Sequence, residues 1–343
     1  ANVPETLLNL ARIRRSIAIA LGMAATIAAM PTLAQTSSVT IYGRVDVSVT
    51  RQNDGTSPIN ASNGQLGAAG KRWDIRPGSA GRIGFRSVED LGGGLSASFL
   101  LEHRFNPDTG EALTPFFQRG AYVELGQAGV ASVYLGREYF PAFWPAFRLD
   151  PWGFDSVGTP GTKHQLANYV VDAGTRTNNT VGVRSASFGG LTFNVATAAG
   201  EGVRPRSTGA NVEYRMGSLY LGAGTDRTDE RNKVALVGGS YDFGPVRPMF
   251  TYVRSTVAGV DYRNMTLAAT VPLPSAILKL AIARLERTGA DSDNTRLGVG
   301  YEYLLSKRTS LMANLGSAKQ QGTAAGRALT RTTLYETGLK HNF

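Results

Sequence analysis

From residue 39 onward, apolar and polar residues take turns along the chain. In Val39–Val49 the odd positions are Val39, Ile41, Gly43, Val45, Val47 and Val49, whereas the even ones include Thr40, Arg44, Asp46 and Ser48. A period of two marks a strand with one face in an apolar medium and the other in water. One such strand fits a soluble sandwich as well as a membrane barrel, so recurrence has to decide. The pattern returns near 39–50, 81–88, 95–105, 117–126, 130–139, 176–187, 191–199, 209–216, 219–228, 233–243, 246–256, 263–272, 276–288, 294–305, 309–319 and 332–343, which makes sixteen strands. Connections at Leu91–Gly94, Gln127–Gly129, Phe188–Gly190 and Ser306–Arg308 are tight, and those at 51–80, 140–175, 200–208 and 320–331 are long. Short turns on one side and long loops on the other predict an all-β fold, a transmembrane antiparallel β-barrel of 16 strands, whose even number closes without an edge. A soluble binding protein with these strands would expose a large apolar belt to water.

One stretch breaks the alternation. Residues 140–165 combine Pro141, Pro145, Pro151 and Pro160 with Phe140, Phe143, Trp144, Phe147, Trp152 and Phe154. A long connection without regular structure is either disordered or functional, and this aromatic content argues against disorder. Inside a barrel such a segment has the inner wall to pack on, which predicts an inward-folded constriction loop. Tyr and Phe near strand ends, including Phe85, Phe99, Phe105, Tyr122, Tyr134, Phe188, Tyr241, Phe243, Tyr301 and Tyr303, are candidates for interfacial girdles or simply good strand formers.

The N-terminus reads as an export signal over residues 1–34. Arg12, Arg14 and Arg15 precede the apolar run Ile17–Met30, and small residues follow up to Ala34. The run is too short for the roughly 20 residues of a spanning helix. Removing three arginines and one glutamate lowers the net charge from +10 to +8 for residues 35–343. The chain has no cysteine, so disulfides and thiolate chemistry are ruled out. No apolar run after residue 34 suits a membrane helix, a constraint that leaves a barrel possible.

The segments Ser38–Arg44, Arg82–Leu95, Arg119–Leu125 and Leu135–Tyr139, with a terminal Phe343 in agreement, resemble the Gram-negative trimeric porins, particularly their beta-proteobacterial branch. The likeness is strongest before residue 140 and thins to strand pattern between about 200 and 330. It implies an outer-membrane channel for small hydrophilic solutes, a homotrimer, a third loop folded inward, and Phe343 as the signal read by the barrel-assembly machinery. Expected partners are outer-membrane lipid and lipopolysaccharide, small solutes and anions, and no nucleic acid; no cofactor or metal is implied. Gly120 departs from the usual polar residue, and Phe143-Trp144-Pro145 makes the loop bulkier than is usual.

Alternation places Arg44, Arg82 and Arg86 on the water-facing side, opposite Val45, Ile83 and Phe85, and Arg176 and Arg184 likewise opposite Val181 and Val183. By the resemblance, Arg44, Arg82, Arg119, Arg137 and Arg176 match the basic side of the constriction. Alternation alone gives Arg119 and Arg137 the parity of apolar neighbours. Asp150 and Asp155 on the loop are expected to oppose the basic side and set a transverse field; a turn-capping role for either is the other reading. Asp46 and Glu102 add acids of lumen parity. A net positive constriction predicts anion preference, whereas a balanced one follows if Arg119 and Arg137 turn away or pair with Glu138 and Glu124. A substrate-specific channel is the other transport reading. His103, His164 and His341 lack metal-site spacing and no nucleophile elbow occurs, so a barrel enzyme has no local motif behind it.

Overall fold

A computed structural model describes residues 38–57, 71–79, 81–161, 175–202, 205–229, 231–289, 293–324 and 327–343. The predicted export segment 1–34 and the end of the predicted constriction loop, 162–165, lie outside the described residues. The barrel strands are β1 (Ser38–Gln52), β2 (Gly81–Gly92), β3 (Leu95–Asn106), β4 (Gly120–Gln127), β5 (Ala131–Tyr139), β6 (Arg176–Ser185), β7 (Leu191–Ala198) and β8 (Ser207–Met216). They continue as β9 (Leu219–Asp229), β10 (Asn232–Tyr241), β11 (Arg247–Val257), β12 (Val260–Leu273), β13 (Ala276–Arg287), β14 (Asn294–Leu304), β15 (Thr309–Gln320) and β16 (Thr332–Asn342).

Each strand pairs antiparallel with its sequence neighbours, and β1 closes the ring. Its first half, Ser38–Arg44, pairs with β2, and Arg44–Gln52 pairs with β16. A short strand, Arg72–Arg76, in the β1–β2 connection continues the partnership along Ser48–Gln52. Among the described residues each of the sixteen barrel strands has a partner on both sides, which a barrel in lipid requires.

The alternation resolves into an inside-out pattern. In β1, Asp46, Ser48, Thr50 and Gln52 are each 2% exposed, while Val45 and Val49 are 40% and 41% exposed. The same contrast sets exposed Val181 and Val183 against buried Thr180 in β6, and exposed Leu221 against buried Tyr220 in β9. A polar interior with an apolar exterior is the reverse of a soluble core and fits a barrel wetted within and surrounded by hydrocarbon. Of the girdle candidates, Phe188, Tyr241, Phe243, Tyr301 and Tyr303 are exposed. Tyr122 and Tyr134 instead turn toward the interior, where Arg184 sits over both rings.

The β5–β6 connection folds into the barrel. After Phe140 it forms a one-and-a-half-turn helix, α1 (Phe143–Arg148), then irregular turns to Gly161. Its apolar side chains supply the core that the walls lack. Phe143, Ala146 and Phe154 pack on Val234, Leu236 and Val253; Leu149 and Trp152 pack on Tyr220, Met249, Ala268 and Ala281. Farther on, Val157 reaches Ala318 and Leu334. The loop therefore runs along β9–β16 and leaves the β1–β6 wall facing open space.

Candidate functional site

Glycine in the wall lets the loop lie this close. A Cβ on Gly298 would sit 1.9 Å from the Gly158 carbonyl oxygen, and one on Gly316 would sit 1.9 Å from that of Val157. No side chain other than hydrogen fits beneath the loop at either place. Polar contacts then fix its path. Asn211 Nδ2 donates to the Pro141 carbonyl at 2.6 Å, and the Ala142 amide donates to Asp226 Oδ1 at 3.0 Å. Trp152 Nε1 donates to Asn314 Oδ1 at 2.9 Å, and Asn314 Nδ2 in turn donates to Glu336 Oε2 at 3.0 Å. The same Glu336 oxygen accepts from the Val157 amide at 3.3 Å and from Ser156 Oγ.

Across the lumen the opposite wall is a field of arginines. Register places Arg44 beside Arg82 and Arg82 beside Arg104, a row of like charges on three consecutive strands. Such a row is destabilising for a sheet in itself, so its presence points to a use in the lumen. Arg119 precedes β4, and Arg176 opens β6 opposite Tyr139, with its guanidinium 3.8 Å from the Tyr139 ring centroid. Its Nε donates to the Arg119 carbonyl at 2.6 Å, which locks the two together.

Wall and loop enclose a cavity of about 800 Å³. Seven arginines line it, Arg44, Arg82, Arg104, Arg119, Arg148, Arg176 and Arg184, against the carboxylates of Glu102, Glu138, Asp155 and Glu213, an excess of three positive charges. The four acids are each matched. Glu102 takes Arg119, Glu213 takes Arg148, Glu138 takes Arg184 at 2.7 Å, and Asp155 takes Arg44 at 3.1 Å. Among the described residues, Arg82, Arg104 and Arg176 have no carboxylate partner.

The predicted site residues divide on this geometry. Arg44, Arg82, Arg119, Arg176 and Asp155 all line the cavity. Arg137 is placed elsewhere: it is buried, its Nε donates to the Gln118 carbonyl at 2.8 Å, and its other donors reach Asn178. The parity of β5 is uninterrupted: Tyr134 and Glu138 are buried on the lumen side, Val133 and Leu135 are exposed on the other, and Arg137 belongs to that second set. Glu138 rather than Arg137 therefore faces the cavity, and the β5–β6 register shift places its extra residue in β6, where Asn178 and Asn179 lie opposite Arg137. Glu138 and Glu124 both bind Arg184, at 2.7 and 2.8 Å. Asp150 does not line the cavity. It accepts from the Trp152 amide at 2.8 Å and from Thr159 Oγ1 at 2.6 Å, bracing the turn after α1. Burial pushes its carboxyl up to about 6.

Arg104 and Arg148 were not singled out from the sequence. Arg104 shares the parity of Glu102, a usable signal, whereas Arg148 reaches the lumen only through the fold of the loop. Phe343 lies at the seam of the barrel. Its backbone exchanges hydrogen bonds with Gly43 at 3.0 and 3.2 Å, and its ring occupies the space beside that glycine.

Comparison with known proteins agrees with this architecture. The chain matches the Gram-negative porin family over residues 18–323. It is 29% identical over 311 residues to outer membrane porin protein 32 of Delftia acidovorans, covering 83% of this chain and 85% of that one. An outer membrane porin protein of Bordetella pertussis is 25% identical over 375 residues, covering 90% and 94%. Among solved structures, an anion-selective porin from Comamonas acidovorans superimposes with a TM-score of 0.75 at 26% identity, over 90% of this chain and 100% of that one. With the closed sixteen-strand barrel and the loop pressed against its inner wall, these matches make the chain a member of the Gram-negative porins, an outer-membrane channel for passive diffusion and not an enzyme.

Proposed function

We propose that this porin prefers anions, and that Arg82, Arg104 and Arg176 carry the preference. The observation behind the reading is the three-charge excess at the cavity, whose four acids are already occupied by other arginines. Low-dielectric walls focus such a field along the path of an ion. An anion entering the narrow part exchanges part of its hydration for guanidinium N–H donors, while a cation meets three charges that nothing on the wall cancels. Asp155 on the loop side of Arg44 gives the field a transverse component, which orients dipolar solutes. No energy source enters, and the flux follows the solute gradient. The similarity to an anion-selective porin from Comamonas acidovorans supports this reading.

The working form we propose is a homotrimer surrounded by outer-membrane lipid and lipopolysaccharide, exported by residues 1–34 and inserted by the barrel-assembly machinery acting on Phe343. The protomer contact falls on the early strands β1–β5 beside β16. Planar-bilayer reconstitution tests the channel: stepwise conductance with the zero-current potential of the chloride sign in a potassium chloride gradient supports the proposal. Steps with a potassium sign would refute the preference. Unboiled electrophoresis should show a species of about three times the monomer mass, and a monomer in mild detergent would remove the trimer.

A further inference from the structure

We infer that the constriction is a binding site for aromatic carboxylates, which makes this channel a preferred route for such anions over aliphatic ones. The inference deepens the proposed anion preference and rests on it. Two surfaces of unlike chemistry face one cavity. On the wall, Arg82 and Arg104 are register partners whose side chains donate no hydrogen bond to protein among the described residues, and Arg104 Nε is buried without an acceptor. Two adjacent guanidiniums with unspent donors match the two oxygens of a carboxylate. A buried donor without a partner is costly, and a bound carboxylate would relieve it.

On the loop, Trp144 and Phe147 are half-buried and line the same cavity. They project from α1 because Phe143 and Ala146, on its other side, are fully committed to the wall. Tyr139 is sandwiched between Phe143, at 3.6 Å, and the Arg176 guanidinium. Trp144 and Phe147 meet edge to face with centroids 6.4 Å apart; Phe147 stacks on Phe143 at 5.3 Å and the Arg148 guanidinium lies 5.7 Å from the Trp144 ring centroid, and both rings keep part of their surface on the cavity. A pore that passes only inorganic ions gains nothing from half-exposed indole and phenyl rings beside its arginines. A concave site of roughly 300–1,000 Å³ with apolar walls and a few convergent polar groups is instead the usual form of a small-molecule site, and the cavity of about 800 Å³ falls within that range. An aromatic ring lying against Trp144 and Phe147 with its carboxylate toward Arg82 and Arg104 uses both surfaces at once.

The test is block of the chloride current in planar bilayers by benzoate, cyclohexanecarboxylate and acetate, after the zero-current potential in potassium chloride has been recorded. Benzoate should half-block at a concentration about tenfold below acetate, a difference of ~1.4 kcal/mol, with cyclohexanecarboxylate weaker than benzoate. In Trp144→Leu and in Phe147→Leu the benzoate-to-acetate ratio should shrink toward one. Equal half-blocking concentrations for the three anions in a channel of chloride sign would overturn this inference and leave anion preference standing. A potassium sign would overturn the preference beneath it. Should one variant fail to fold, the other variant and the comparison of benzoate with cyclohexanecarboxylate in the unmodified protein still decide.

Discussion

Arg82→Ala isolates the charge that sets selectivity. Arg82 has no carboxylate partner, so its removal lowers the positive excess at the cavity from three to two without stranding an acid; Glu102 keeps both Arg119 and the Tyr42 hydroxyl. At about 6 Å from a passing ion, in water-like surroundings, one unit charge is worth ~0.7 kcal/mol. Anions lose that attraction and cations lose the same repulsion, so the chloride-to-potassium permeability ratio changes by ~1.4 kcal/mol, about tenfold before screening. With a Debye length of about 10 Å at 0.1 M, a three- to tenfold drop remains, and at 1 M, with about 3 Å, most of it disappears. Zero-current potentials under a potassium chloride gradient read this directly, with Arg104→Ala expected to match. Arg86→Ala is the control: Arg86 sits over the Tyr42 ring at 5.0 Å and does not line the cavity. Equal shifts for Arg82→Ala and Arg86→Ala would refute the assignment of selectivity to the cavity row, since both remove one lumen-side charge.

Three further outcomes are expected. Gly316→Ala places a methyl 1.9 Å from the Val157 carbonyl oxygen and should lift the loop from the wall, costing ~1–3 kcal/mol in urea unfolding and lowering single-channel conductance; unchanged conductance would contradict the seated loop. Asp150 has a carboxyl raised to about 6 in the folded loop, against about 4 when unfolded, so the folded state holds its proton more tightly. Stability should therefore be full below pH 4 and fall between pH 4 and 6, by up to ~3 kcal/mol, and Asp150→Asn should remove that slope from urea midpoints measured across the window. Deleting Phe343 removes the backbone hydrogen bonds to Gly43 at the seam and should reduce the folded barrel recovered from the outer membrane, with the conductance of the remaining channels unaltered.

The strands were legible because a barrel wall in lipid leaves every second residue to an apolar surround, and that constraint writes itself into local alternation. All sixteen appear where the period of two puts them, with small shifts such as β4 starting at Gly120 rather than 117. The inward loop was legible for a related reason: Phe143, Trp144 and Phe154 need a wall, and only the interior offers one. What local alternation does not encode is where a side chain turns once its residue lies beyond the end of a strand. Arg137 keeps the parity of Val133 and Leu135 while Glu138 shares the lumen side with Tyr134, yet Arg119, which precedes β4 and has the parity of Ala121 and Val123, lines the cavity. Asp150 and Asp155 look alike in sequence, yet a backbone turn buries one and presents the other to Arg44. That difference depends on where the loop touches β13–β16, which lie more than a hundred residues away.

The most direct test of a net positive constriction is the zero-current potential of the unmodified protein under a tenfold potassium chloride gradient, taken once at low and once at high ionic strength. Complete selectivity for one monovalent ion corresponds to about 59 mV. The expected result is the chloride sign in both conditions, larger at low salt, where three uncompensated guanidiniums are least screened. A potassium sign, or a potential near zero at low salt, would contradict it.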